Sequence, residues 1–210
     1  MAKQLGFYLD ASACTACKAC AMACKDKNNL PVGINWRRVY EYGGGSWVPD
    51  PAHSDMLVPN NVYAYSVSIA CMHCQDAKCV EVCPAGAMSK NADGVVLIDA
   101  DKCIGCRLCE WACPYGGPQY DEANGVMTKC NFCVDLQAEG KNPACVDACV
   151  MRVLEFGELD DLRARHGVVN SIAPLPDGSF TNPSFVVTPH RHAQASGSSL
   201  GEILGLPEEN

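Results

Sequence analysis

Cysteine is the residue of this 210-residue chain whose number and spacing could do chemistry. There are 16 cysteines, and they fall into four groups of four with none left over. Thiolates are soft ligands for copper(I), zinc and iron–sulfur clusters, and a cubane [4Fe–4S] cluster takes four of them. The groups are Cys14, Cys17, Cys20 and Cys24; Cys71, Cys74, Cys79 and Cys83; Cys103, Cys106, Cys109 and Cys113; and Cys130, Cys133, Cys145 and Cys149.

The first and third groups have the spacing C-x2-C-x2-C-x3-C, which is that of bacterial ferredoxins. Three cysteines placed three residues apart on a tight loop reach three corners of one cubane. The fourth lies on the short helix that follows and binds the neighbouring cluster, as in two-cluster ferredoxins. Pro84 and Pro114, which follow the second and third groups, suit a helix end because proline has no N–H. The groups should therefore pair and exchange their last ligands.

Two other uses of cysteine compete with clusters. An even cysteine count permits a disulfide framework, but cysteines three residues apart close only short loops, which stabilise little. Zinc sites pair two CxxC elements, whereas a run of three cysteines exceeds what such a site uses. The sequence therefore predicts four [4Fe–4S] clusters.

The stretches around the cysteines predict a repeated supersecondary unit. Residues 5–9 are predicted to form a strand before the first group, and residues 152–157 a partner strand after the fourth. Between the second and third groups, a turn at residues 91–94 followed by β-branched residues 95–99 predicts a β-hairpin. We therefore expect an α+β fold with two ferredoxin-like units of the bacterial 2[4Fe–4S] type, one inserted in the other.

The units have approximate bounds. The second and third groups lie in an inner unit, residues 62–120, and the first and fourth in an outer unit, residues 1–30 and 121–165. Residues 31–61 are predicted to be a connector loop that serves as a partner surface. A short helix is predicted at residues 158–166, and the proline-rich residues 166–210 are predicted to form an extended C-terminal arm with little regular structure. The alternative, a disordered tail, depends on where the apolar side chains of the arm lie, namely Phe180, Phe185, Val186 and Val187.

If the two groups of each unit exchange their last cysteines, four ligand sets follow. For the outer unit this exchange rests on analogy with the inner unit. The first set is Cys14, Cys17, Cys20 and Cys149; the second is Cys24, Cys130, Cys133 and Cys145; the third is Cys71, Cys74, Cys79 and Cys113; and the fourth is Cys83, Cys103, Cys106 and Cys109. No nucleophile with a partnering base and no phosphate loop occurs, since Gly43-Gly44-Gly45 lacks the Lys-Ser/Thr of a P-loop. We expect no catalysis by this chain alone.

Charge and hydrophobicity exclude other classes. The net charge is −8, with 24 acidic and 16 basic residues and no Lys/Arg run, which disfavours nucleic-acid binding. The sequence has no run of about 18 apolar residues, so no membrane span is predicted. No signal peptide is recognised.

A few non-cysteine residues lie next to the clusters in sequence. Arg107 and Lys129 are predicted to raise cluster potentials through their charge. Trp111 and Tyr115 are predicted to pack against cluster sulfur, and His73 to shield a cluster or form a hydrogen bond rather than to bind iron.

The layout of the four groups resembles the iron–sulfur subunits of the DMSO reductase family of molybdopterin oxidoreductases, and within it those of the dimethyl sulfoxide reductases. The resemblance covers nearly the whole chain, although Val150 stands where a proline is usual. Beyond the cysteines it is carried by Trp36-Arg37-Arg38-Val39-Tyr40-Glu41-Tyr42, Cys113-Pro114-Tyr115-Gly116, Met127-Thr128-Lys129-Cys130 and Ile172-Ala173-Pro174-Leu175-Pro176.

The resemblance implies an electron-transfer subunit between two partners. These are a large catalytic subunit with molybdenum or tungsten bis(pterin guanine dinucleotide) and a quinone-reactive integral membrane anchor. The first and fourth groups would lie toward the catalytic subunit, and the second and third toward the membrane.

The alternative is a free-standing polyferredoxin, which the long connector and arm disfavour. We expect a soluble subunit of a membrane-associated complex. It would lie on the periplasmic face if a partner carries a twin-arginine signal and in the cytoplasm otherwise.

Overall fold

A computed structural model describes residues 3–204 of the chain. Its first sheet has the order β8-β1-β9, formed by β1 (Leu5–Asp10), β8 (Leu154–Glu158) and β9 (Phe185–Thr188). β8 runs antiparallel to β1 and β9 runs parallel to it. The predicted pairing of the first strand with the strand after the fourth group is therefore confirmed. Burial explains the sheet, because Leu9, Val186 and Val187 are fully enclosed.

The second sheet occupies much of the predicted connector. β2 (Arg38–Pro49) and β3 (Leu57–Ile69) form a long antiparallel hairpin, to which β10 (Gly201–Leu204) adds on the other side of β2. The prediction of a loop was wrong here, because side chains of the two strands pair across the hairpin, as Tyr42 does with Tyr65. The glycine run is part of β2, with a bulge between Gly44 and Ser46. Gly45 has φ +106°, and a Cβ there would lie 2.6 Å from the Cα of Val62, which is why glycine is needed.

Two small hairpins lie in the cysteine-rich part of the chain. β4 (Met88–Lys90) pairs with β5 (Val96–Ile98), which confirms the predicted hairpin. Its turn is fixed by Asn91, whose Oδ1 accepts hydrogen bonds from the backbone N–H groups of Asp93 and Val95. β6 (Gln119–Asp121) pairs with β7 (Val126–Thr128) just before the fourth group.

The helices are short, and most contain or adjoin cysteines. The predicted helix after the last cysteine is confirmed and ends at Gly167. None of the helices between residues 3 and 204 has the length and hydrophobicity needed to cross a bilayer. The helices are α1 (Ala19–Lys27), α2 (Lys78–Glu81), α3 (Leu108–Ala112), α4 (Val134–Ala138), α5 (Ala144–Asp147) and α6 (Leu159–His166).

The C-terminal segment packs against the rest of the chain. It contains a 3₁₀ turn (Gly178–Phe180) and the strands β9 and β10, which were not predicted, but most of the segment is irregular, as predicted. Strand pairing with β1 and β2 supplies the hydrogen bonds that the proline-rich sequence cannot supply locally. Of the predicted outer unit and arm, residues 1–2 and 205–210 lie outside the described residues.

The coarse fold is mixed α/β with short helices around cysteine-rich loops. Phe132, in the loop of the fourth group, is fully buried at the centre. Its ring centroid lies 4.3 Å from that of Phe7 in β1 and 6.3 Å from that of Phe156 in β8. Packing therefore joins the cysteine loops directly to the first sheet.

Candidate metal centres

The loops of the first and third groups share an unusual backbone. In each, the residues on either side of the second cysteine have positive φ, namely Ala16 (54°) and Lys18 (57°) in one loop and Gly105 (66°) and Arg107 (62°) in the other. A left-handed residue other than glycine costs about 1–3 kcal/mol and persists only where its surroundings require it. At Gly105 a Cβ would lie 2.3 Å from the carbonyl oxygen of Gly125. The equal turns indicate that both loops are shaped for the same kind of ligand.

Three of the predicted sets each line one cavity. The cavities beside the first, third and fourth sets are of similar size. The similar sizes suit one kind of ligand. The cysteines that line them are Cys14, Cys17, Cys20 and Cys149; Cys71, Cys74, Cys79 and Cys113; and Cys83, Cys103, Cys106 and Cys109.

The remaining four cysteines are all buried and influence one another electrostatically. Cys24 lies close enough to Cys145 and Cys133 for them to raise the pKa of its thiol, and Cys130 is affected by both Cys24 and Cys145. The structure therefore brings together Cys24, Cys130, Cys133 and Cys145, which the sequence assigned to the second set.

The donor chemistry fits iron–sulfur clusters. All sixteen cysteines, which lie within residues 3–204, are free thiols. Backbone N–H groups donate to several sulfur atoms, which stabilises thiolates and tunes cluster potentials. These bonds run from Gly117 to Cys113 (3.3 Å), Met127 to Cys103 (3.3 Å), Val153 to Cys149 (3.3 Å) and Phe132 to Cys130 (3.4 Å).

Burial strongly affects the thiols. It raises the pKa of Cys24, Cys74 and Cys79 to about 12 in each case. Burial also acts to raise the pKa of Cys83, but hydrogen bonds from the four backbone N–H groups of the residues that follow outweigh this effect and lower the pKa. Buried thiols that bind iron must first lose their protons, so loading of the sites releases protons.

The helices join neighbouring sets. Cysteines four positions apart on a helix lie on one face, about 6 Å apart along the axis. In α1, Cys20 belongs to the first set and Cys24 to the second. The same sequence spacing occurs at α5, α2 and α3, but there the second cysteine, Cys149, Cys83 or Cys113, lies one or two residues beyond the end of the helix.

The second and third sets meet directly. Cys130 of the second set and Cys71 of the third pack together with Ala70, and Trp36 covers them. The four sets therefore follow one another as first, second, third and fourth. The two exposed cysteines belong to the two end sets, since Cys17 lies in the first set and Cys106 in the fourth.

Apolar side chains are exposed beside each end of this row. Met22 and Val150 lie near the first set, and Ile104 and Trp111 near the fourth. The prediction that Trp111 packs against cluster sulfur was wrong, since its side chain is 85% exposed. Tyr115 is buried as predicted, and its hydroxyl lies 3.1 Å from Thr181 Oγ1.

His73 takes the predicted hydrogen-bonding role. Its ring is fully buried, and Nδ1 accepts a hydrogen bond of 3.1 Å from the backbone N–H of Val96. Burial, helped by the charge of Lys129, lowers the pKa of His73 well below its usual value, so the ring is neutral with its proton on Nε2.

Sequence reasoning missed the most buried charge of the site, Arg37. Its side chain is 2% exposed and lies among cysteines of the first and second sets. The only sequence signal was an Arg-Arg pair, and nothing in that pair distinguishes an enclosed arginine from a surface one.

The two predicted tuning residues differ in their environment. Lys129 is 4% exposed, and its Nζ donates to the carbonyl oxygens of Val96 and Cys130. It lies between the second and third sets, since it affects both Cys130 and Cys79. Arg107 is exposed and paired with Glu110, with 2.8 Å between Arg107 Nε and Glu110 Oε2. We therefore no longer expect its charge to raise a cluster potential, because an exposed ion pair has little effect.

Replacing Lys129 by methionine is expected to lower the potentials of the second and third clusters. Loss of a buried charge near both should shift each one-electron equilibrium about tenfold, or about 59 mV. Redox titration monitored by EPR measures the potentials. The matched control removes both charges of the exposed pair, with Arg107→Met and Glu110→Gln, and should leave all potentials unchanged because water screens such a pair. Equal shifts in both variants would contradict the assignment to Lys129.

Two family models match the chain. A 4Fe-4S dicluster domain matches residues 62–159, and a 4Fe-4S binding domain matches residues 11–33. Together with the loops and the four cysteine sets, they define an iron–sulfur protein of the ferredoxin-like 4Fe-4S class, with four [4Fe–4S] clusters as its cofactors.

Comparison with known proteins narrows the class. The chain is 48% identical over 209 residues to the B subunit of anaerobic dimethyl sulfoxide reductase from Escherichia coli (strain K12), covering 100% of both proteins. It is 38% identical over 178 residues to the formate dehydrogenase iron-sulfur subunit of Wolinella succinogenes, covering 74% of this chain and 82% of that one. It is 33% identical over 196 residues to the B subunit of polysulfide reductase from the same organism, covering 91% and 97%. The chain belongs to the dimethyl sulfoxide reductase family of iron–sulfur subunits.

Proposed function

We propose that the chain is the electron-transfer subunit of an oxidoreductase complex and holds its four [4Fe–4S] clusters in a single row. The single observation that carries this proposal is the arrangement of the thiols. Four sets follow one another without a gap, and the exposed cysteines, Cys17 and Cys106, belong to the two end sets. A row that is buried in the middle and accessible at both ends suits transfer between two partners.

The proposed ligands are the sets predicted from the sequence. The cavities and the mutual effects of the buried thiols support them, including the exchange of last ligands in the outer pair. The first cluster is held by Cys14, Cys17, Cys20 and Cys149; the second by Cys24, Cys130, Cys133 and Cys145; the third by Cys71, Cys74, Cys79 and Cys113; and the fourth by Cys83, Cys103, Cys106 and Cys109.

The proposed domain arrangement inserts one ferredoxin-like unit into the other. Pairing of β1 with β8 and contact between α1 and α5 support an outer unit from both ends of the cysteine-rich region. The β4–β5 hairpin and contact between α2 and α3 support a contiguous inner unit. The proposed bounds are 1–30 and 121–165 for the outer unit, 62–120 for the inner unit, 31–61 for the connector and 166–210 for the arm.

When bound, a [4Fe–4S] cluster takes up and releases one electron at a time. The residues of the chain supply thiolates, backbone N–H donors and burial, which set the potential at each site. Each set already has four thiols, so no open coordination position is offered to a substrate. The chain therefore does not catalyse a reaction alone.

The partners are proposed from the relatives. Their names refer to reductases of dimethyl sulfoxide and polysulfide and to a formate dehydrogenase, so the substrate is chosen by another subunit. We assign a molybdenum or tungsten bis(pterin guanine dinucleotide) subunit to the end with the first set. A quinone-reactive membrane anchor is assigned to the end with the fourth set, where Ile104 and Trp111 are exposed. With these partners the chain belongs to a membrane-associated complex. It lies on the periplasmic face if the catalytic partner carries a twin-arginine signal and in the cytoplasm otherwise.

The test is anaerobic purification from the native host followed by iron and sulfide analysis. We expect about 16 iron and 16 sulfide per chain, interacting EPR signals after dithionite reduction, and co-purification with a pterin-containing chain. Iron far below that value, or zinc in its place, would overturn the cofactor assignment. Full clusters in a chain that purifies alone in every detergent and salt condition would favour the free-standing polyferredoxin.

A further inference from the structure

Arg37 carries a charge that the protein encloses. It lies just before β2, and its Cζ is 4.7 Å from the ring centroid of Phe7. Burying an unpaired charge costs several kcal/mol, so a counter-charge is required. Among residues 3–204 no carboxylate forms an ion pair with Arg37. The negative groups around it are cysteine sulfurs of the first and second sets.

The hydrogen bonds of the guanidinium are incomplete within the chain. Nη1 donates to Ser68 Oγ at 3.1 Å. Nε and Nη2 are buried and have no hydrogen-bond partner in the part of the chain that the structure describes. Since a guanidinium carries five N–H donors in a rigid fork, these two nitrogens are available to a further acceptor, beyond Ser68 and the Cys145 sulfur to which the Arg37 side chain also donates.

The surroundings of the guanidinium identify that acceptor. The sulfurs that act on Arg37 are, in order of strength, those of Cys145, Cys20, Cys130 and Cys24, so three of the four belong to the second set. An arginine guanidinium is not deprotonated in a protein, so the group stays charged among these sulfurs.

Ser68 extends the contact to the first set. Its hydroxyl oxygen accepts the hydrogen bond from Arg37, which leaves its own proton free. The nearest acceptor is Cys20, with 3.3 Å between Ser68 Oγ and Cys20 Sγ. Arg37 therefore orients a donor toward the first set, while its guanidinium lies beside the Cys145 sulfur of the second set.

We propose that Arg37 is the positioning residue shared by the first two clusters, donating from Nε and Nη2 to sulfur of the second and acting on the first through Ser68. The proposal rests on the ligand sets given under the proposed function. A positive charge and hydrogen bonds to sulfur favour the more negative, reduced state of a cluster. Arg37 thus raises both potentials together. The difference between the potentials of the first and second clusters therefore stays small.

The test is EPR-monitored redox titration of the anaerobically purified complex with Arg37→Met. We expect both potentials to fall, with a shift of at least tenfold in each one-electron equilibrium, or about 59 mV. Arg37→Lys keeps the charge but not the fork, so the potentials should fall by less. Ser68→Ala removes only the hydroxyl and should lower the first potential alone. Single variants Cys17→Ser and Cys133→Ser assign the signals of the first and second clusters.

Arg38→Met is the matched control. Arg38 is the neighbouring arginine, but its Nη2 donates to the carbonyl oxygens of Tyr115 and Gly116, next to the third set. The first two potentials should therefore remain at the wild-type values. Iron analysis separates the two proposals, because a wild-type chain without four clusters contradicts the ligand sets whatever Arg37 does.

With four clusters present, unchanged potentials in Arg37→Met overturn the role of Arg37. If Arg37→Met does not load iron, the potentials of Arg37→Lys and Ser68→Ala test the proposal instead. Wild-type potentials in both variants would overturn the role of Arg37.

Discussion

Replacement of Cys130 by serine is expected to remove the second cluster and interrupt electron transfer through the chain. Cys130 is buried and lies where the second and third sets meet. Serine is a poor ligand for iron in a site built for soft thiolates. Iron should fall from about 16 to about 12 per chain. Because the rate of tunnelling falls steeply with distance, a gap between the first and third clusters should stop turnover almost completely.

The measurement combines iron analysis, EPR and quinol-dependent turnover of the membrane-bound complex. Turnover with a soluble electron donor that reaches the catalytic subunit directly should be retained, which locates the defect in the row. Leu162→Met is the control, because Leu162 is fully buried in a cluster that contains no cysteine and methionine has a similar volume. A Cys130→Ser protein with full quinol-dependent turnover would rule out a single row in which every cluster is needed.

The cysteine spacing predicted the site because its chemistry is local. A loop with cysteines three residues apart specifies a turn and a ligand set with little help from the rest of the chain. The proposed exchange of ligands has the same local basis, since positions four apart on a short helix lie one turn apart. Cys20 and Cys24 illustrate this, because α1 carries them into two different sets.

The elements that were predicted wrongly depend on tertiary partners. The glycine run and prolines of residues 31–61 indicate a loop locally, but Tyr42 and Tyr65 are paired and buried in the second sheet. β9 pairs with β1, which lies at the opposite end of the chain, and no local pattern reveals such a partner. Burial of Arg37 is also a tertiary property, because it follows from β3 and the second cysteine set closing around a side chain.

Truncation of a buried side chain in the C-terminal segment is expected to destabilise the second cluster. The reason is that this segment supports, through β1, the loop proposed to hold that cluster. Phe185 in β9 is 2% exposed and aligned with Phe7 in β1. Phe7 in turn packs on Phe132, which lies between Cys130 and Cys133. Phe185→Ala should therefore cost about 3–5 kcal/mol. That loss corresponds to about two to four powers of ten in the equilibrium for detaching the segment.

The measurement is the rate at which visible cluster absorbance is lost in guanidinium under anaerobic conditions. Phe185→Ala should lose iron much faster than the wild type, and the EPR signal of the second cluster should disappear first. Phe180→Ala is the matched control, since Phe180 lies in the same segment but is 60% exposed, and its loss of iron should keep the wild-type rate. If the two alanine variants behave alike, β9 does not support the clusters. The segment would then contribute to partner binding alone.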